Sequence, residues 1–240
     1  MRIFCCVPSL SEFIFFLRPE ALAGRTRFCI YPEEIRKVPA YGGTKTLDLQ
    51  KITLLHSDLI VAVKEENTKE QIEHLAKSTD VKVFDIVSWA DALKANAEIA
   101  RLLDSEKKYA AWLADFENRK NQIHFPEKPT VAYLIWQNPW MTVGGDTYIH
   151  HSLEQAGFVN VFASRNRYPE ISLQDLQEKD PDVILLSSEP YPFKEKDIDK
   201  FKSWFPGKKV LSADGTYFSW YGSRMSPALD YFSELRSQLI

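Results

Sequence analysis

The sequence lacks most of the features that announce a function outright. It has three cysteines, Cys5, Cys6 and Cys29. An odd number excludes a fully paired disulfide framework, and adjacent Cys5 and Cys6 point to opposite faces of a strand, so free buried thiols are expected. No Cys-x-x-Cys or Cys/His spacing suits structural zinc. There is no nucleophile elbow, phosphate-binding loop or Gly-x-Gly-x-x-Gly. Gly42-Gly43-Thr44-Lys45 imitates the end of a phosphate loop but fails twice. Thr44 separates Gly43 from Lys45, and Val38 stands where the first glycine belongs. His150 and His151 fall in an expected helix, where neighbours diverge by about 100° and make a poor metal pair. His56, His74 and His124 are scattered. No catalytic set, resident metal or intrinsic cofactor is therefore expected, and the chain does not read as an enzyme.

Charge and hydropathy exclude further classes. A net charge of −3 without a basic run leaves no footprint for nucleic acid or an anionic membrane. The longest apolar run near the amino terminus, Phe13–Leu17, is far too short to span a bilayer. Glu12 interrupts that stretch and no small-residue cleavage site follows, so the sequence as given shows no export signal. A cytoplasmic protein fits, and so does a periplasmic or cell-surface one whose signal has been removed.

What is present is an ordinary globular composition, 45% hydrophobic and 26% charged over 240 residues. Strands are expected at Arg2–Val7, Leu22–Cys29, Asp58–Val63 and Val81–Val87. Helices are expected after Pro8, where Ser9 and Glu12 have capping-box spacing, at Leu49–Leu55 behind Asp48, and at Thr68–Ser78. Residues 31–46, rich in Pro and Gly, read as loop. The alternation then stops. Ser88–Gln122 contains no Gly or Pro and is rich in good helix formers. It reads as one helix of about 50 Å, or as two broken near Asp104-Ser105. Alternation resumes with strands at Thr130–Trp136, Val183–Leu186 and Lys209–Ser212. Helices are expected at Thr147–Ala156, Leu173–Glu178 behind Ser172, Lys194–Trp204 and Pro227–Leu239. The expected organisation is an amino-terminal lobe over 1–87, a connecting helical segment over 88–124 and a carboxyl-terminal lobe over 125–240. The fold class is α/β, two Rossmann-like lobes with mostly parallel sheets.

The second half repeats the first. Leu49-Gln50-Lys51-Ile52 matches Leu173-Gln174-Asp175-Leu176, and Asp58-Leu59-Ile60-Val61 matches Asp182-Val183-Ile184-Leu185, each 124 residues later. The capping residues Asp48 and Ser172 share that offset. A helix-then-strand unit present twice in one register reads as an internal duplication.

Open α/β sheets bind ligands at the carboxyl ends of their strands, and two such lobes would share one cleft. The segments expected there are Pro8-Ser9, Tyr41–Thr44 and Lys64–Asn67 in the first lobe. In the second they are Trp136–Trp140, Tyr168, Ser187–Pro192 and Gly215–Arg224. These second-lobe segments hold Trp136, Trp140, Tyr168, Tyr191, Tyr217, Phe218, Trp220 and Tyr221, with Phe193 beside them. Flat apolar walls with a few polar groups suit a large planar or macrocyclic ligand; some of these rings equally well fill the lobe's core.

The motifs also resemble a known family, the helical-backbone metal receptors, which are substrate-binding components of ABC importers for cobalamin and ferric siderophores. Val7-Pro8-Ser9-Leu10-Ser11-Glu12 resembles their opening motif and Gly24–Cys29 their second. Gly42-Gly43-Thr44, Leu59–Glu66, Ile135-Trp136 with Pro139-Trp140, Gly144–Ile149, Ser188–Phe193 and Trp220–Arg224 continue the match over nearly the whole chain. The resemblance implies two lobes joined by one rigid helix, and a monomer that captures a metal chelate, a corrinoid such as cobalamin or a ferric siderophore, for an ABC permease. The strand-end loops and the resemblance together give the expected ligand contacts Tyr41, Gly43, Thr44, Arg27, Glu66, Trp136, Trp140, Tyr168, Glu189, Trp220, Tyr221 and Arg224. Tyr41 and Tyr168, with Trp220, match an aromatic clamp on a corrin; Arg27, Lys45, Lys64 and Arg224 would meet an anionic chelate. Permease docking in the family uses an acidic residue on each lobe. Here the nearest positions are Lys69 and Gln174, with Glu70, Asp175 and Glu178 close by. A chelate-binding protein or scaffold of the same fold without a permease is the alternative.

Overall fold

The structure, a computed structural model, describes residues 1–239. The chain divides into two compact units. The first comprises Met1–Phe116 and the short segment Tyr221–Arg224; the second comprises Glu117–Trp220 and the residues from Met225 onward.

The first unit contains β1 (Ile3–Cys5), α1 (Pro8–Leu17), β2 (Leu22–Gly24), a small hairpin of β3 (Gly42–Gly43) and β4 (Thr46–Leu47), α2 (Leu49–Leu54), β5 (Leu59–Val63), α3 (Lys69–Leu75), β6 (Val81–Phe84), α4 (Trp89–Leu102) and the first part of α5 (Glu106–Gln122). Its four-stranded sheet has the order β2-β1-β5-β6, with every pairing parallel. The apolar run of β5 is covered on both faces, as parallel strands require. Helix α4 and the first part of α5 are fixed within this unit by aromatic packing. Trp112 lies 5.7 Å from Phe13 of α1 and 5.6 Å from Phe116, which lies 5.7 Å from Trp89.

The second unit contains β7 (Thr130–Leu134), β8 (Trp140–Met141), α6 (Tyr148–Gln155), β9 (Val159–Asn160), β10 (Glu170–Ile171), α7 (Leu173–Lys179), β11 (Val183–Ser187), α8 (Glu195–Trp204), β12 (Lys209–Ala213), α9 (Gly215–Ser219) and α10 (Met225–Ser237). Its sheet runs β9-β7-β11-β12, again all parallel. Each sheet is therefore second strand, first strand, third, fourth. The two Rossmann-like lobes have one topology.

The repeat extends to hydrogen bonds. Asp48 caps α2 by accepting from Lys51 N at 3.3 Å. Ser172 caps α7 by accepting from Asp175 N at 3.0 Å, and Asp175 returns a bond to Ser172 N at 2.8 Å, completing a capping box. Asp58, just before β5, accepts from Arg2 N at 2.6 Å; Asp182, just before β11, accepts from Thr130 N at 2.8 Å. In both lobes the same carboxylate ties the start of the third strand to the start of the first.

Several expectations change. The helical stretch over 88–122 is two helices, not one rod: Asp104 adopts φ +50° and Ser105 N bonds to Ala100 O at 2.8 Å, so α4 ends and α5 starts afresh. The sequence expectation of a break at Asp104-Ser105 is the form observed. The strand expected over Leu22–Cys29 stops at Gly24 because Arg25 turns inward. Its buried guanidinium donates to the carbonyls of Ile35, Thr26 and Arg36. The Ser9/Glu12 capping box does not form. Pro8 already occupies the first helical turn, and Ser9 lies inside α1 with no side-chain cap at Val7. Helix α9, capped by Asp214, and the β8–β10 ribbon were not anticipated; both are too short for a periodic signal. No helix among the described residues is long and apolar enough to cross a membrane, and Cys5, Cys6 and Cys29 are free and buried.

Candidate functional site

The order of each sheet puts its switch point beside the first strand, so the loops leaving the strands' carboxyl ends are the place to look. In the first unit, the loop after β2 carries Arg27 and Phe28, both exposed, with the guanidinium carbon 5.0 Å from the ring centroid. They lean over Gly43. A Cβ there would come within 2.9 Å of the Phe28 ring and 3.5 Å of Arg27 Nε, so a larger residue would push the exposed Phe28 ring aside. Arg27 N also bonds to Gly42 O at 2.8 Å. Tyr41 is half-buried, its ring 6.1 Å from Phe4 and packed over Gly24.

Asn67, after β5, is the hub of this end of the sheet. Its Oδ1 accepts from Val63 N at 2.9 Å, and its Nδ2 donates to Thr44 O at 2.9 Å and to Cys6 O at 3.4 Å. One amide thus binds the ends of two strands to the Gly43-Thr44 hairpin. Beside it, Glu66 accepts from the Tyr221 hydroxyl. Tyr221 belongs to the segment 221–224, which is bound to α1. Glu12 accepts from Ser223 Oγ at 2.9 Å and from Arg224 Nε at 3.0 Å, and the Arg224 guanidinium also lies 4.4 Å from the centroid of exposed Tyr31. Gly222, at φ +83°, passes so close to α1 that a Cβ would meet Phe13 at 2.8 Å. Lys64 is paired with Asp85 at 2.7 Å, and Lys45 is exposed. Burial pushes the Cys5 thiol up to about 12 and raises Cys6 and Cys29 as well, so these sulfurs stay protonated and unreactive.

In the second unit, the loop after β7 presents exposed Trp136, whose ring meets Tyr191 edge to face at 5.6 Å. Trp140 is placed differently. It stacks on Phe193 at 6.3 Å and meets Phe201 at 5.1 Å, so most of its ring serves the lobe's core. Tyr168 is half-buried beside Arg167, 5.9 Å from ring to guanidinium. After β11, Glu189 accepts from Ser219 Oγ at 2.7 Å and from Trp220 Nε1 at 2.9 Å, and Trp220 is buried. Gly215 lets the loops after β11 and β12 touch: a Cβ there would lie 2.5 Å from Glu189 Cγ.

In the first unit Arg27 and Gly43 stand together, as do Glu66 with Tyr221, while Thr44 and Glu66 flank Asn67. In the second, Glu189 and Trp220 form one bonded pair, with Trp136 and Tyr168 on other loops. Sequence reasoning missed Phe28, Tyr31 and Glu12. Phe28 and Tyr31 are bulky aromatics in a polar, proline-containing loop just past a strand, and that exposure signal was available. Glu12 was marked only as half of a capping box and as part of a motif, and its partners lie more than 200 residues away. A shallow depression of about 410 Å³ lined by Ser57, Asp58 and Ala76–Asp80 lies at the opposite, amino-terminal end of β5 and β6, away from these loops.

Comparison with known proteins agrees with this architecture. The family model described as "Periplasmic binding protein" matches residues 18–206. The vitamin B12-binding protein of Salmonella typhi is 25% identical over 201 residues, covering 78% of this chain and 72% of that one. That of Salmonella typhimurium is 26% identical over 68% of this chain, which spans 64% of that relative's length. Among solved structures, the periplasmic heme-binding protein BhuT in complex with two hemes superposes with a TM-score of 0.84 at 21% identity, covering 100% of this chain and 99% of that one. The chain belongs to the periplasmic binding protein family, as its resemblance to the helical-backbone metal receptors implied.

Proposed function

We propose that this binding protein captures a flat metal chelate of the tetrapyrrole type, a corrinoid or a heme, on the loops that leave the carboxyl ends of its strands, and passes it to an ABC permease. The observation that carries this reading is the position of its exposed aromatic side chains. Phe28, Tyr31 and Trp136 are the large aromatics left exposed among the described residues, and all three lie on strand-end loops. Exposing such rings costs hydrophobic burial unless a ligand covers them. Arg27 over Phe28 adds a cation beside a flat surface, suited to a carboxylate on the rim of a macrocycle. The names of the relatives, vitamin B12- and heme-binding proteins, support the same ligand class.

The polar site residues sort by what they already hold. Glu66 holds Tyr221, Glu189 holds Trp220 and Arg224 is held by Glu12, so these six shape the loops. Tyr41, Tyr168, Trp136, Arg27, Gly43 and Thr44 are the contacts we assign to the ligand. For permease docking we assign exposed Glu70 and Glu178, because Asp175 is committed to Ser172 and to Arg165 at 2.7 Å.

Titration of the full chain with cobalamin, cobinamide, hemin and a ferric siderophore tests this by quenching of tryptophan fluorescence. Saturable quenching by a tetrapyrrole is expected. Tyr41→Ala and Tyr168→Ala should each weaken it by roughly 1–3 kcal/mol, the range for an aromatic stacked on a flat ring. No quenching by any member of the panel, or full affinity in both variants, would remove the proposal.

A further inference from the structure

Helix α6 carries a cluster that ligand capture does not use. His150 and His151 were expected to diverge, and their backbone positions do. Their side chains nevertheless converge on Glu154, one turn further along. His151 Nδ1 lies 3.0 Å from Glu154 Oε2, and His150 Nε2 lies 3.6 Å from Glu154 Oε1. The two imidazoles stand 5.3 Å apart at 65°. One ligand atom from each residue lies within 4.8 Å of the others.

We propose that His150, His151 and Glu154 form a site for a divalent transition-metal ion, of the zinc, nickel or copper type, with one coordination position left open. Two imidazoles and a carboxylate are the donor set such ions take when an exchangeable fourth position remains. Bonds of about 2.0–2.2 Å at tetrahedral angles separate ligand atoms by roughly 3.3–3.5 Å. The two histidine–carboxylate distances, 3.0 and 3.6 Å, run to different oxygens of Glu154, so the carboxylate turns to offer one oxygen to the ion while the imidazoles close on each other. The movement falls to His151 and Glu154, which are 34% and 51% exposed, because His150 is only 12% exposed.

The tautomer of His150 sets the cost. Asn160 Nδ2 lies 3.3 Å from His150 Nδ1, and the amide cannot turn over. Its Nδ2 also donates to Val143 O at 2.9 Å, and its Oδ1 accepts from Phe162 N at 3.0 Å. Without metal, the His150 proton therefore sits on Nε2, facing Glu154. A metal on Nε2 moves it to Nδ1 and gives up the Asn160 contact. That contact is uncharged, but the metal-bound form sets Nδ1–H against the Asn160 amide donor, which lowers affinity by roughly 5- to 150-fold. His151 and Glu154 meet no such obstacle.

The test is calorimetric titration of the full, tag-free, chelator-treated chain with Zn²⁺, repeated with Co²⁺ to read ligand-field absorption. One equivalent should bind. His151→Gln, Glu154→Gln and His150→Gln should each weaken binding by at least about tenfold, as loss of a direct ligand must if second-sphere partners alone matter that much. His74→Gln, on the exposed face of α3, should leave it unchanged. Zn²⁺ should raise the thermal midpoint of the wild type and not of His151→Gln. Absence of binding up to about 1 mM Zn²⁺, a free energy near 4 kcal/mol, overturns the proposal. So does equal affinity in His151→Gln. That surface position keeps the test decisive even where the Glu154 variant folds poorly. Ligand capture is read separately, with no metal added.

Discussion

Removing Glu12 should detach the carboxyl-terminal segment from α1, and the cost can be worked from the contacts. Glu12 accepts from Ser223 Oγ and from Arg224 Nε, and the ion-paired side chains are 13% and 14% exposed. Glu12→Ala deletes the carboxylate and leaves a largely buried guanidinium uncompensated, a loss of about 3–5 kcal/mol for a broken buried pair. Arg224 keeps its place over the Tyr31 ring, worth about 0.5–2 kcal/mol. The expected loss is therefore at the lower end, about 3 kcal/mol. Replacing both charges removes the stranded one, so Glu12→Ala/Arg224→Met should cost less than the sum of the single changes, with a coupling of at least about 1.5 kcal/mol. The two compact units need not unfold together, so the measurement should be local: hydrogen exchange of the α1 amides, in the four chains of the cycle. The Tyr221–Glu66 contact should loosen with it, because Tyr221 is held by the same segment. A loss below about 1 kcal/mol for Glu12→Ala, or strict additivity across the cycle, would refute the view that this ion pair anchors residues 221–224.

Other outcomes follow from single contacts. Asn67→Ala strips the partner from the Val63 amide and releases the Gly43-Thr44 hairpin; a loss of about 2 kcal/mol is expected, measured by denaturant titration. Asp182→Ala should destabilise by about 1–2 kcal/mol and Asp58→Ala by about half as much in the same assay. Asp182 accepts two bonds from Thr130, against one backbone bond to Asp58 from Arg2, and both carboxylates are exposed. Asp175 is held down to about 2, first by the Ser172 hydroxyl, then by the Ser172 amide and Arg165. A depressed carboxylate stabilises the fold above its unfolded value near 3.8 and loses that contribution as pH falls through its folded value. Wild-type stability should therefore drop between about pH 4 and pH 2 more steeply than that of Asp175→Asn, as followed by circular dichroism; parallel curves would contradict the assignment.

How far the sequence could be read depended on the range of the forces involved. The helix-then-strand repeat was visible because caps and apolar runs are local: Asp48, Ser172, Leu59–Val63 and Val183–Ser187 carry their signal within a few residues. The break at Asp104 was visible for the same reason. The early end of β2 was not, because it depends on Arg25 finding two carbonyls, of Ile35 and Arg36, ten and eleven residues away. Long-range partners were invisible in principle: Glu12 looked like half of a capping box, and its bonds run to Ser223 and Arg224. The candidate site was legible as a set of loops and not as a set of contacts. Ring count alone could not separate Trp136, left exposed at a strand end, from Trp140, stacked against Phe193 and Phe201. The adjacent histidines show the converse error. Backbone periodicity set their Cβ directions, but rotamers bring both onto Glu154.

The duplication explains which parts of the molecule are free to specialise. The conserved offset carries the cap, the strand and the aspartate that locks the third strand to the first, which together fix the frame of each lobe. Immediately after those strands the two copies part company. In the first unit the loop is Lys64-Glu65-Glu66-Asn67, tied by one amide to two strand ends and a hairpin. At the same offset in the second it is Ser188-Glu189-Pro190-Tyr191, tied through Glu189 to an indole and presenting Tyr191 to Trp136. Strand length and register cannot drift without exposing an apolar row, whereas a loop past the strand end can exchange an amide for an aromatic at little cost to the sheet. On the proposed reading, recognition is therefore expected to differ between the lobes: the first sets the cation Arg27 beside Phe28 and Tyr41, and the second presents Trp136 and Tyr168. Arg27→Ala should then discriminate against ligands bearing carboxylates while sparing neutral ones, and Trp136→Ala should weaken both alike.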